Sequence, residues 1–226
     1  MNGINLFPLF LSFKVASASV AIALITGIPL AYFLSRNKNR LSYFIDSLMN
    51  LPIIFPPTVL GYYLLVLLGR QSHIGKFLEN NFDIMIVFTP LGAVLASTIV
   101  SIPYLIKAAK VSFEEVDKDY INAARVMGKT ETVIFFTIIL PIAWRGVISG
   151  VSMAFARALG DFGTTLMVAG SIPDETLTMP IAIYNSLQAD DGKTANIMVL
   201  IMTIIALATL FIISRLSYKR KGERNA

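Results

Sequence analysis

Few side chains in this sequence could do chemistry, and their spacing narrows what that chemistry could be. Arg157 and Asp161 stand four residues apart inside an apolar stretch, a spacing that puts both on one face of a helix and lets them pair. Alone in hydrocarbon each would be costly, so the two form either an architectural ion pair or the border of a polar pathway. Gly160, Gly163, Thr164 and Thr165 would loosen and wet the helix just beyond them. No second acidic residue lies in the other apolar stretches, which weighs against a proton-driven carrier. The chain has no cysteine and a single histidine, His73. That excludes thiolate nucleophiles, sulfur-ligated metals and two-histidine metal sites, and it leaves a Ser-His-Asp triad only a histidine in a polar stretch with no evident nucleophile. Ala123, four residues, then Gly128-Lys129-Thr130 approximates a nucleotide phosphate loop. Such a loop needs a strand entering it and a helix leaving it, whereas a helical pattern precedes Gly128. The expectation is a chain that is not an enzyme and holds neither cofactor nor metal.

The elements that must position these residues are membrane helices. The chain has 226 residues, of which 55% are hydrophobic and 15% charged, too apolar for a soluble globule of this length. A span needs roughly 20 apolar residues, and five stretches qualify, at about 9–34, 48–68, 84–109, 146–169 and 196–213. The first ends in basic rather than small residues and reads as a retained helix, not a secretory signal. The predicted fold is an all-α polytopic membrane bundle with residues 1–226 forming one transmembrane unit. With the N-terminus outside, the inner segments carry 14 Lys and Arg and the outer ones 4, so the positive-inside rule puts the tail from Arg215 to Ala226 in the cytoplasm. That basic tail reads as an orientation anchor rather than a nucleic-acid patch. Small residues at four-residue spacing, Ser19, Ala23, Gly27 and Ala31 in the first span and Gly146, Gly150, Ala154 and Ala158 in the fourth, mark faces where helices pack, within one subunit or between two. Pro52, Pro56 and Pro57 must distort the second span and suggest a lined cavity there.

The segment 110–145 is too long to be a mere connector. Ser112 followed by Glu115 has the form of a capping box, after which Phe113, Val116, Tyr120, Ala124 and Met127 recur at helical spacing until Gly128 offers a left-handed stop. A second short helix is expected from Thr130 to before Pro141, with Trp144 and Arg145 at the membrane boundary. An amphipathic helix here could lie among lipid headgroups or dock into a partner's groove. The methyl side chains of Ala123 and Ala124 suit close approach in a tight socket.

These residues carry a resemblance. Asn122-Ala123-Ala124, three residues, Gly128, nine residues, Ile138, one residue, Leu140-Pro141 resembles the EAA loop of ABC-importer permease subunits, every position fitting except the first, where Asn122 replaces Glu. Arg157-Ala-Leu-Gly160-Asp161-Phe-Gly163-Thr-Thr-Leu-Met-Val-Ala-Gly170-Ser-Ile-Pro173, followed by Thr178-Met-Pro180-Ile-Ala-Ile-Tyr184, is similar to the corresponding stretch of molybdate importer permeases, with Asp161 for Glu and Ser171 for Asn. The resemblance implies a homodimeric permease in a prokaryotic plasma membrane. Two cytoplasmic ATP-binding subunits, which hold ATP and Mg, and an external oxyanion-binding protein would complete it, with lipid around the spans and no nucleic acid. It also implies that Tyr120, Asn122, Ala123, Ala124, Gly128 and Pro141 belong to the coupling loop, whose short helix fits a groove on the ATP-binding subunit. Molybdate or tungstate is the expected cargo, with sulfate the alternative because sulfate permeases share much of this region. A secondary carrier or channel is the alternative of another class and would need no coupling loop. For a doubly charged oxyanion a deep high-affinity site would be a trap, so the route is expected to use hydroxyl and backbone donors, with Thr164, Thr165 and Ser171 as candidates. The outer segment 173–194 is expected to form a short re-entrant or surface helix that meets the binding protein.

Overall fold

The computed structural model describes residues 5–218, so most of the basic tail, residues 219–226, lies outside the described residues. Helix α1, Phe7–Arg36, opens with Pro8 in its first turn, where the missing N–H costs nothing, and buries Ser19, Ala23, Gly27 and Ala31 along one stripe. Helix α5, Pro90–Glu114, receives that stripe; a Cβ on Gly27 would already stand 3.3 Å from Ile106. The same helix takes the small stripe of the fourth span, since a Cβ on Gly150 would stand 3.0 Å from Ala108. Both stripes therefore pack inside one subunit, around α5 as the centre of the bundle.

The predicted second span is two helices. Helix α2, Arg40–Ile54, is N-capped by Asn39, whose side chain accepts from the Ser42 amide at 2.8 Å. Helix α3, Pro57–Leu68, leaves it at 116°. Phe55 and Pro56 sit in extended geometry at the corner, as residues before a proline are pushed to do. Helix α4, His73–Phe82, starts at Ser72, which accepts from the Gly75 amide, and places the lone histidine at its first position. The Arg70 guanidinium bonded to Glu79 holds that carboxyl below its usual range.

Three further expectations are corrected. The third span begins at Pro90 rather than near 84, because Thr89 caps it and accepts from the Gly92 amide. Ser112 does not start a helix: it lies inside α5 and its hydroxyl donates to the Ala108 carbonyl at 3.0 Å. The next helix, α6, Lys118–Val126, is capped by Asp117, which accepts from the Asp119 amide at 2.9 Å. Pro141 ends nothing either. Helix α7, Glu131–Ile134, runs through a wide π turn at Phe135–Ile139 into α8, Leu140–Leu159. That turn shifts the hydrogen-bond register just before the proline removes a donor, so the helix continues.

The fourth span is displaced toward the N-terminus, its continuous helix running Glu131–Leu159 rather than over 146–169. Helix α8 stops at Leu159, and after a break at Gly160–Phe162 a separate helix α9, Gly163–Ala169, follows. Gly170, at φ 73°, ends α9. Helix α10, Met179–Gln188, buries Met179, Ile181 and Ala182, and α11, Gly192–Tyr218, completes the bundle. Among the described residues four helical stretches are long and apolar enough to cross a membrane, or five if the bent α2–α3 pair counts as one.

Helix α3 packs on α9 at near backbone contact: a Cβ on Gly61 would lie 2.5 Å from the Met167 Cβ, and one on Gly163 would lie 2.9 Å from Pro57. Gly61→Val is therefore expected to destabilise the bundle by about 1–3 kcal/mol through overpacking. Thermal unfolding in detergent measures this, and an unchanged midpoint would mean that α3 and α9 separate freely.

Candidate functional site

Two constellations carry the residues singled out in the sequence. The first is α6 with the turn after it. One face of α6 is seated in a cluster at one end of the bundle, where Ile121 and Ala124 are buried against Phe113, Val116, Ile134 and Ile139. The Tyr32, Phe113 and Phe135 rings close that cluster, Tyr32 and Phe135 at 4.9 Å between centroids. The opposite face projects from the fold, with Tyr120, Asn122, Ala123, Val126 and Met127 exposed. Val126 is 89% exposed, an extreme value for an aliphatic side chain. Gly128, at φ 75°, turns the chain and has nothing within 4 Å of where a Cβ would be. The two alanines thus split: Ala124 fastens α6 to its own chain and Ala123 faces away. Tyr120 and Met127, grouped by spacing with Phe113, Val116 and Ala124, lie on the exposed face, whereas those three are buried. Sequence reasoning missed Val126, although its spacing of three from Ala123 puts it beside that residue on the exposed face.

Around that turn Arg125 Nε donates to Glu131 Oε1 at 2.6 Å, and the bond and charge of Glu131 raise the Arg125 pKa. Lys129 and Thr130 occupy the short turn between α6 and α7, with helix on both sides and no strand leading in, so no phosphate cradle forms there. Pro141 sits apart from the knob, as the second residue of α8 on its exposed side.

The second constellation surrounds the break after α8. Arg157 Nη1 donates to Asp161 Oδ1 at 3.3 Å, so the pair forms although the helix ends between the two residues. The Asp161 side chain is 1% exposed and that of Arg157 26%. Asp161 spends its other oxygen on α9: Oδ2 accepts from the Thr165 amide at 3.0 Å and from its hydroxyl at 2.7 Å. The Thr165 hydroxyl also lies 3.3 Å from Ser97 Oγ on α5. Asp161 is thus both a counter-ion for α8 and a cap for α9, which holds the two sides of the break together. The Ser171 hydroxyl is engaged too, accepting from Asn185 Nδ2 at 2.7 Å. Thr164 differs: its hydroxyl is buried beside α3 and has no hydrogen-bond partner. Gly160 is exposed at the break and Gly163 opens α9 against Pro57. Phe162 stacks on Tyr184 of α10 at 5.0 Å, which brings the outer helix over the same break.

Comparison with known proteins places this geometry. Residues 23–222 match the family described as binding-protein-dependent transport system inner membrane component. The chain is 39% identical over 217 residues to the molybdenum transport system permease protein ModB of Escherichia coli strain K12, covering 94% of this chain and 95% of that one. It is 36% identical to the putative molybdenum transport system permease protein YvgM of Bacillus subtilis strain 168, covering 92% of each. Among solved structures, the inward-facing MetNI methionine ABC transporter superposes with a TM-score of 0.74 at 15% identity, covering 95% of this chain and 94% of that one, a likeness of fold. The bundle around α5, the projecting α6 and the broken α8–α9 segment therefore belong to a multi-pass inner-membrane permease subunit of an ABC importer, a member of the binding-protein-dependent transport family.

Proposed function

We propose that this chain is the membrane half of an ATP-driven oxyanion importer, with molybdate or tungstate as cargo. Two copies form the pathway at their interface, and two cytoplasmic subunits bind ATP and Mg. The N-terminus is outside, α6 faces the cytoplasm, and an external protein delivers the oxyanion near α10. The observation that carries this reading is α6 itself: one face is locked into the core by Ile121 and Ala124, and the other offers Tyr120, Ala123, Val126 and Met127 to solvent. A helix so mounted passes a push from a partner directly into α5 and α7–α8. ATP binding supplies the shift only by favouring one state of the assembly over the other. The cargo is supported by the molybdenum permeases named above, which match over nearly the whole chain.

Along the route, the Arg157 side chain is 26% exposed with Nη1 on Asp161, whereas the Thr164 hydroxyl is buried. A part-paired donor of this kind attracts a dianion without trapping it.

Copurification with the ATP-binding subunits and the binding protein, followed by uptake into proteoliposomes, tests the proposal. The expected result is uptake of molybdate that requires ATP and the binding protein and is competed by tungstate. Competition by sulfate alone would reassign the cargo, and uptake driven by an ion gradient without ATP would establish a secondary carrier.

A further inference from the structure

The turn between α6 and α7 is bridged by a polar cluster that plays no part in the exposed docking face. Arg125, in the last turn of α6, donates Nε to Glu131 Oε1 at 2.6 Å, and Glu131 is the first residue of α7. Arg125 first, with smaller help from Tyr32 and the charge of Arg36 in the last turns of α1, holds the Glu131 carboxyl below its usual range. The Arg36 guanidinium lies 5.7 Å from the Tyr32 ring centroid, and its Nη2 donates to the Phe113 carbonyl of α5 at 3.4 Å. One carboxylate therefore touches or neighbours groups from α1 and α6 at the start of the continuous α7–α8 helix, with α5 one residue further on.

The backbone at this place is a pivot. Gly128 turns through φ 75° with open space around it, and the Met127, Gly128 and Lys129 amides, donating to the Ala123, Arg125 and Ala124 carbonyls, tie the turn back to α6. On one side of this pivot Ile121 and Ala124 pack α6 against Ile134 of α7, while the exposed side has no such apolar packing. The Arg125–Glu131 bridge spans the pivot. Its two side chains are 50% and 55% exposed, so the bridge adds little to stability. Its effect is to join two elements that must move as one.

On α6 itself Arg125 Nη1 also donates to Asn122 Oδ1 at 3.5 Å, a longer contact than the one Arg125 Nε makes to Glu131.

On the reading that α6 docks with an ATP-binding subunit, we propose that Glu131 is a positioning residue for coupling. It takes Arg125 across the pivot so that displacement of α6 is carried into α7–α8 and α1.

The test uses the assembled transporter in proteoliposomes, with molybdate as the probe and uptake and ATP hydrolysis measured on one preparation. Failure of the unaltered transporter to take up molybdate with ATP counts against the transport reading. The coupling role is judged only on variants of a working assembly. Arg125→Gln and Glu131→Gln are each expected to keep the ATP-binding subunits and the melting temperature while lowering molybdate moved per ATP by about threefold to fivefold. The double variant Arg125→Gln/Glu131→Gln should be no worse than either single one, as for two groups acting through one bond. An unchanged transport-to-ATP ratio in Glu131→Gln, or losses that add in the double variant, overturns the proposal. The Arg125 side chain is 50% exposed, so Arg125→Gln carries the test alone if the Glu131 variants do not fold; an unchanged ratio there is equally decisive.

Discussion

Ala123→Trp should leave the permease folded but lower ATP-dependent uptake by more than tenfold, whereas Ala124→Trp should damage the permease itself. The two residues are neighbours in sequence and alike in chemistry, and the difference follows from where each methyl group lies. Ala124 is fully buried among Phe113, Val116, Ile134 and Ile139. An indole there must displace several of these side chains, and such overpacking costs about 1–3 kcal/mol. Ala123 faces outward with Tyr120 and Val126, so an indole meets only solvent in the isolated chain. In a fitted groove the same indole overpacks the partner, and a penalty of about 1–3 kcal/mol on docking is roughly 10- to 100-fold in occupancy. Melting of the detergent-purified permease and capture of its ATP-binding subunit separate the outcomes. Ala124→Trp should lower the midpoint, and Ala123→Trp should abolish capture at an unchanged midpoint. Equal effects of the two on both measurements would show that α6 does not divide its faces between core and partner.

That division was only half legible in the sequence. The stop at Gly128 was readable, because a glycine after a run of helical spacing points to a left-handed residue, and φ is 75° there. The start was misread because Ser112 and Glu115 have the form of a capping box, while the true cap, Asp117, follows within a few residues. What decides between them is Phe113: its ring is fully buried with Tyr32 and Phe135, which holds residue 112 inside α5. No local pattern reports that contact. Continuity through Pro141 escaped for a related reason, since a π turn is a register change made by packing and leaves no composition signal. The Arg125–Glu131 bridge could not be read either, because a separation of six has no helical meaning unless the turn between is known. By contrast, the small-residue stripes were plain at four-residue spacing, and α5 took them both. The pairing of Arg157 with Asp161 was likewise plain, but not the break between them. Helix α8 ends because Asp161 serves the amide and hydroxyl of Thr165, a role that only the fold reveals.

Asp161→Ala is accordingly expected to be the most damaging single substitution in this region. It removes the counter-ion of Arg157 in a buried setting and, in the same step, strips the Thr165 amide and hydroxyl of their acceptor. Breaking a fully buried ion pair from one side costs about 3–5 kcal/mol, and the 26% exposure of the remaining Arg157 places this loss toward the lower end of that range. Asp161→Asn keeps an oxygen for Thr165 and loses only the charge, so it should fall between the wild type and the alanine variant. The ion pair itself is diagnosed by the double variant Arg157→Met/Asp161→Asn. Removing both charges leaves nothing uncompensated, and the double variant should recover part of the stability lost in Asp161→Asn alone. The folded fraction after detergent extraction and the thermal midpoint measure all three. If Arg157 instead faces water along the pathway and needs no counter-ion, the double variant will be no more stable than Asp161→Asn. The cost of Asp161→Ala would then trace to the cap on α9 alone, and a guanidinium free of Asp161 would be available in full to a passing oxyanion.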